Sequence, residues 1–313
     1  MHATELEAEQ RRRHRTGAII AFVAAAAFAS LAIIGRWAFD AGLRGSTLLQ
    51  WRFGLAALVL VPFGVFRTPL PRRTRVVLLG SGFVYTAQTS FYFQSLERIT
   101  AGTTALLLYL SPAFIVVYSI ILGRRPSRGQ TIATFLALTG LAVILGGPSA
   151  EDASAIGLAF GAAAGATFAG YLLLGELAFG GVPPLTIAAH SMAGAAIGFT
   201  VLELIGNGGL TVPAGTRQWL LVAAVVTIPT LFSMPLMFAA IARIGAGPTA
   251  IISTSEPAFT LLFAAVLLAE PVRAAQLLGG VLILGAAVLA QRSSTATPPV
   301  LRLPIDPDQI DSP

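Results

Sequence analysis

The residues able to do chemistry in this chain are few, and they lie inside apolar runs. Glu256 sits between Ser255 and Pro257 within the run 247–268. At a helical rise of about 1.5 Å per residue it lies roughly 13 Å from the start of that run. A carboxylate at that depth in a bilayer is costly unless it faces a wet cavity, is paired or is protonated, which makes it a candidate for proton coupling. Pro257 lacks an amide N–H and frees a carbonyl beside it, so it is a kink candidate. The structural alternative is a neutral carboxyl bonded across helices. His190, near the start of the run 184–206, is a relay partner for Glu256 or a simple hydrogen-bonding interface residue.

Arg36 and Arg52 fall toward the ends of the runs 17–38 and 45–66. Snorkelling to the interface explains them; the sharper reading makes Arg52 a clamp for a substrate carboxylate and Arg36 a gate residue. Tyr85, Gln88 and Tyr92 share one helix face, and with Gln94 and Tyr109 they either line a cavity for an amphipathic metabolite or bond between helices. Tyr92 and Gln94 fit an aromatic belt near the interface better. Tyr171 and Ser253 are further cavity candidates. Gly157, Gly161, Gly165 and Ala169 recur every fourth residue and offer a small face for close helix approach. No metal site is expected, because Cys is absent and the other histidines, His2 and His14, lie in the N-terminal segment. No cofactor is expected either.

These residues must be carried by membrane helices. Of 313 residues, 55% are apolar and 11% charged, too few charges to cover a soluble protein of this size, for which about 25% is usual. A helix of about 20 apolar residues spans a bilayer core. The chain offers ten such runs: 17–38, 45–66, 76–96, 100–122, 128–147, 154–174, 184–206, 218–241, 247–268 and 273–291. The fold class is therefore an all-α polytopic membrane protein with ten transmembrane helices. The segments 1–16 and 292–313 read as cytoplasmic, mobile extensions. The first run is too long for a signal-peptide core and is read as a retained helix.

The net charge of +6 comes entirely from arginine, since there is no lysine. No segment interleaves those arginines with aromatic platforms, so nucleic acid is not an expected partner. Their distribution orients the chain instead. With the N-terminus in the cytoplasm, 14 of the 20 arginines fall on cytoplasmic segments, which places both termini inside the cytoplasmic membrane.

The chain also repeats itself. Residues 98–143 align with 243–288 without a gap, with 15 of 46 positions identical, including Pro112-Ala113-Phe114 with Pro257-Ala258-Phe259. This register pairs Ser111 with Glu256 and the kink candidate Pro112 with Pro257. At an offset of 140, Gly17, Phe28, Ala29, Gly35, Ala38 and Phe39 match Gly157, Phe168, Ala169, Gly175, Ala178 and Phe179. Arg36 then corresponds to Glu176, a second gate candidate. The two halves are 17–147 and 154–291. Five helices per half force the second to enter the membrane from the opposite side, giving an inverted repeat with a site at its interface and alternating access as the mode of action.

LYLSPAF at 108–114, SEPAFTLLFAAVLLAEP at 255–271 and the Gly-rich helices after each resemble the EamA family of the drug/metabolite transporter superfamily. The resemblance covers 17–291. It departs from the family at Arg124, which stands where an acid usually ends the fourth helix; Glu270 retains the acid of the ninth. The resemblance implies a secondary carrier of small metabolites, most often an exporter of compounds such as amino acids. Cationic drugs, sugars and nucleosides are the alternative cargoes. An intramembrane enzyme with Glu256 and His190 as acid and base is the other class, but no HExxH or nucleophile elbow accompanies them. No ring of charges or filter sequence suggests a channel. Ten helices suffice to enclose a path, so a monomer is expected.

Overall fold

The computed structural model describes residues 2–65, 68–99, 101–146, 154–178, 180–207, 211–267 and 273–293. Most of the tail segment 292–313, the link around 150 and Glu270 with its neighbours lie outside the described residues. The regular structure among the described residues is all helical, with no strands. In chain order the helices are α1 (His2–Asp40), α2 (Gly45–Gly64), α3 (Arg72–Leu96), α4 (Ala101–Leu108), α5 (Ser111–Ile121), α6 (Arg128–Leu145), α7 (Ala155–Leu177) and α8 (Pro184–Asn207). They continue as α9 (Thr216–Val226), a π-helical turn (Thr227–Phe232), α10 (Ser233–Ile244), α11 (Ala246–Ser253), α12 (Glu256–Leu267) and α13 (Ala274–Ser293).

Among the described residues, seven stretches are long and apolar enough to cross a membrane: Glu9–Asp40, Gly45–Gly64, Thr103–Ile121, Ala155–Leu177, Pro184–Gly206, Thr216–Ile244 and Ala246–Leu267. Arg128–Ile144 and Ala274–Ala290 are apolar but shorter. Helix α3 has the length, at 25 residues, but buries Thr74, Ser81, Tyr85, Thr86, Gln88, Thr89 and Ser95. Its polar side therefore faces protein. The chain is a polytopic membrane protein. One expectation is corrected at the N-terminus: the first helix starts at His2 rather than 17 and runs 39 residues, with the Arg13 guanidinium donating to the Ala242 carbonyl at 2.9 Å.

Local signals account for several helix ends. Ser127 Oγ accepts the Gln130 amide at the start of α6, and Ser154 Oγ accepts the Gly157 amide at the start of α7, each at 3.1 Å. Such caps satisfy amide donors that the first turn leaves unpaired. Gly245, at φ +84°, makes the reversal between α10 and α11, a conformation that disfavours residues with a Cβ.

The helices pack in matched pairs. Helix α6 runs against α13, and α2 against α8. Helix α3 packs on α7 and α8, while α1 packs on α10 and α12. Small residues let backbones meet: a methyl added at Gly140 would lie 2.7 Å from the Gly279 carbonyl oxygen, and one at Gly279 would lie 2.5 Å from that of Gly140. A methyl on Gly17 would strike Ile244 and Arg243 at 2.6 and 2.8 Å; one on Gly157 would strike Ile99 and Arg98 at 2.8 and 2.9 Å. In a membrane this close approach replaces the hydrophobic drive that soluble helices use.

Candidate functional site

Two helices are broken in the interior. Between α4 and α5 the helical ladder stops at Tyr109 and Leu110, just before Pro112; between α11 and α12 it stops at Thr254 and Ser255, just before Pro257. Each proline sits in the first turn of the following helix, where a missing N–H costs nothing. The hydroxyls of Thr254 and Ser255 donate to the carbonyls of Ile251 and Ile252 at 2.6 and 2.7 Å, so the break closes on itself. Glu256 is the first residue of α12, where the helix dipole favours a carboxylate. Its surface is only partly buried.

The Tyr109 hydroxyl donates to the Glu256 carboxylate. Glu256 is also within electrostatic reach of Arg52, Tyr85 and Tyr92. Arg52 is 3% exposed, so it does not snorkel. Its Nε donates to Thr230 Oγ1 at 2.8 Å, its Nη2 to the Pro229 carbonyl at 3.3 Å, and Tyr85 completes the set. The π-helical turn makes these contacts available. Pro229 has no amide to give, and Thr230 Oγ1 donates to the Val225 carbonyl at 2.9 Å. Widened turns of this kind release backbone acceptors inside a helix. The segment reads in sequence as a plain span, and only the Thr-Ile-Pro-Thr at 227–230 signals the interruption.

A ladder of aromatic rings fixes the cluster. Phe199 stacks on Phe53 at 4.9 Å, Phe53 meets Tyr85 edge-on at 5.6 Å, Tyr85 meets Tyr171 at 5.1 Å, and Tyr171 meets Phe238 at 5.7 Å. These rings tie α8, α2, α3, α7 and α10 together around Arg52 and Tyr85. Tyr171, fully buried, shares a 2.7 Å hydrogen bond with Ser191.

The structure thus brings Arg52, Tyr85, Tyr92, Tyr109, Tyr171 and Glu256 into one connected region. Tyr92 lies within electrostatic reach of Glu256, whereas Gln94 Oε1 accepts from Arg98 at 2.9 Å. Gln88 is buried in α3 and accepts from Thr89 at 3.3 Å. Ser111 is buried at the start of α5, and Ser253 is partly buried at the end of α11. His190 stays apart: its Nδ1 contacts the Thr186 carbonyl at 2.9 Å within its own helix, and its Nε2 is buried with no hydrogen-bond partner. Among the described residues, no hydrogen bond links it to Glu256. Among the described residues, no three His, Asp or Glu side chains gather as a metal would require.

The gate candidates separate as well. Arg36 is exposed on α1. Glu176 lies at one end of the bundle, accepts Arg124 Nη1 at 2.8 Å and also accepts the Ala246 amide. The side chains of Arg124 and Glu176 are 21% and 13% exposed. One carboxylate thereby joins the end of α5, the end of α7 and the start of α11. Another acid, Glu203, is buried and accepts the Thr211 hydroxyl at 3.0 Å near the other end; the sequence reading missed it because it falls close to a helix end.

Comparison with known proteins agrees with this architecture. Over 286 residues the chain is 28% identical to YcbK, an uncharacterised transporter of Bacillus subtilis, covering 87% of this chain and 92% of that protein. It is 27% identical to the threonine/homoserine exporter RhtA of Escherichia coli K12 over 263 residues, or 82% of this chain and 83% of the exporter. A solved crystal structure superposes with a TM-score of 0.74 at 23% identity, covering 88% of this chain and 96% of that one, which supports the fold alone. The model of the EamA-like transporter family matches residues 15–146 and 155–291. Family and relatives are transporters, not enzymes, and this chain belongs to the EamA-like transporter family.

Proposed function

We propose that this protein is a secondary carrier that exports amino acids or related small metabolites across the cytoplasmic membrane by alternating access. The observation that carries this reading is the charged, hydroxyl-lined cluster of Arg52, Tyr85, Tyr109 and Glu256 at two broken helices, drawn from both halves of the chain. Discontinuous helices that present polar groups inside a bundle are how secondary carriers build a site at mid-membrane. The similarity to a threonine/homoserine exporter supports amino acids as cargo.

The proposed architecture is ten membrane helices in two inverted five-helix repeats, 17–147 and 154–291, with both termini cytoplasmic. Three expected spans are then α4 with α5, α9 through α10, and α11 with α12. Exchanging the halves maps the α3–α7 contact onto α10–α1 and leaves α6–α13 and α2–α8 unchanged. The pairing of Gly17 with Arg243-Ile244 repeats as Gly157 with Arg98-Ile99. In this topology Arg124, Glu176 and Ala246 close the cytoplasmic end. Glu256 is the proposed proton-coupling residue, and the unit is a monomer in the bilayer. Counterflow tests the reading: liposomes holding purified protein are preloaded with unlabelled amino acids, and labelled ones are added outside with and without a pH gradient. Saturable uptake of one class supports it, and no exchange of any amino acid refutes the cargo.

A further inference from the structure

Glu203 is a buried carboxylate without a counter-charge. It is 3% exposed, and among the described residues its one hydrogen bond comes from the neutral hydroxyl of Thr211, at 3.0 Å. A buried carboxylate in that position is costly unless a positive charge meets it. Two more oxygens are buried and unsatisfied on α2. Thr47 Oγ1 and Gln50 Oε1 have no hydrogen-bond partner, on residues 1% and 7% exposed. Packing contacts bring them to Glu203. Phe53 of α2 stacks on Phe199 of α8 at 4.9 Å. At the other end of α2, a methyl on Gly64 would strike Ala189 and Thr186, near the start of α8. The two helices therefore run antiparallel. Gln50 lies one turn before Phe53, toward the start of α2, and Glu203 lies one turn after Phe199, toward the end of α8. Each shares a face with its ring, so Gln50 and Glu203 face one another across the contact. Thr47 stands three residues before Gln50 and four before Trp51, on the same stripe. Trp51 Nε1 in turn donates to the Thr211 carbonyl at 2.9 Å, which closes the circle back to Glu203. The start of α2 lies beside the end of α8, so their dipoles offset each other and supply no net charge.

We propose that Glu203, Gln50 Oε1, Thr47 Oγ1 and the Thr211 hydroxyl bind a sodium ion. A hard cation takes carboxylate and neutral oxygens such as these. One carboxylate balances a monovalent ion and leaves a divalent one half compensated. Nitrogen and sulfur donors, which transition metals favour, are not in the set. Hydroxyl and amide groups alone can bond a carboxylate, but they cannot bring the missing positive charge. The Thr211 hydroxyl donates its proton to Glu203 and keeps lone pairs for the ion. Glu203 lies three residues inside the end of the span Pro184–Gly206, so an ion reaches it from the adjoining water without crossing the apolar interior. A bound ion joins α2 to α8, and these helices lie in the two separate stretches that the family model matches.

The test uses purified full-length protein in a nonionic detergent. Sodium chloride is titrated against N-methyl-D-glucamine chloride at constant ionic strength. Two tryptophans report on the site directly, because Trp51 is bonded to Thr211 and meets Trp219 edge-on at 4.8 Å. The expected result is a saturable change in tryptophan fluorescence, together with a rise in thermal stability. At sodium a hundred times the midpoint, the unfolding equilibrium should shift by about 100-fold. Glu203→Gln removes the charge, so it should lose both responses, and without sodium it should be at least as stable as the unmodified protein. If that variant fails to fold, Gln50→Ala keeps the carboxylate and should raise the sodium midpoint by about 10-fold or more, the worth of one oxygen bonded to a charge. An unchanged midpoint in Gln50→Ala would count against the site. Equal responses in Glu203→Gln and the unmodified protein would place the ion elsewhere and overturn it. Stability that ignores sodium but rises in acid would make Glu203 a protonated carboxyl bonded to Gln50, and also overturns it. None of these outcomes bears on whether amino acids exchange in counterflow, so the carrier reading stands or falls separately.

Discussion

Gly279 and Gly280 are neighbours on α13, and the structure assigns them opposite responses to the same substitution. Replacing either by alanine gains up to about 1 kcal/mol of helix propensity. At Gly280 the new methyl meets nothing within 4 Å. At Gly279 it would lie 2.5 Å from the Gly140 carbonyl oxygen, 2.7 Å from Ile144 Cγ1 and 3.0 Å from the Ile144 amide nitrogen. Two of those three are backbone atoms of α6, which no rotamer change can move aside. The helices must separate, and overpacking of this kind costs about 1–3 kcal/mol. Gly279→Ala should therefore be less stable than Gly280→Ala by about that amount, or roughly 5–150-fold in the unfolding equilibrium. Titration of the purified protein with a denaturing detergent, followed by tryptophan fluorescence, reads the difference. Equal unfolding curves would refute the backbone-to-backbone packing of α6 on α13.

Gly161→Leu should give little folded protein on size-exclusion chromatography, because even a methyl there would lie 2.5 Å from Leu107 Cδ1 and 2.9 Å from Ser95 Oγ; a normal monodisperse peak would remove the close approach of α7 to α4. Tyr171→Phe loses the 2.7 Å bond to Ser191 and should cost about 1–3 kcal/mol in the same detergent titration, since a buried hydroxyl is left without its partner; an unchanged curve would show that bond to be dispensable. In the proposed topology, Arg124→Gln, which frees Glu176 from its ion pair, should raise access to the interior from the cytoplasmic side, read as faster labelling of a cysteine introduced at Ser253; an unchanged rate would count against a closing role for the pair. Glu256→Gln should abolish the response of counterflow to a pH gradient; a surviving response would make Glu256 structural.

The amino-acid sequence displays the apolar runs, the duplication and the prolines before which two helices break, because each is a property of neighbouring residues. What it hides are facts about faces and distances. Arg52 read as a snorkelling residue because depth along a helix does not say which side of it a residue occupies; the side facing α9–α10 takes it to Thr230 instead. His190 and Glu256 looked like partners because both are ionisable and embedded, yet His190 bonds within its own turn. The π-helical turn was hidden because one proline in an apolar run fits a simple kink as well as a widened turn. The departure from the family pattern at Arg124 put any role for an acid there in doubt; in the structure that arginine binds Glu176, an acid from the other half.

The central claim is that the Arg52–Glu256 cluster is reached from each side of the membrane in turn. The chain has no cysteine, so Ser253→Cys gives a single label site three residues from Glu256, on a partly exposed side chain. Membrane-impermeant maleimide would be applied to the outside and, in inverted vesicles, to the cytoplasmic side, with and without threonine. The account predicts labelling from both sides, with threonine altering the two rates in opposite directions. Labelling confined to one side under every condition, or rates that rise together as through an open channel, would contradict it.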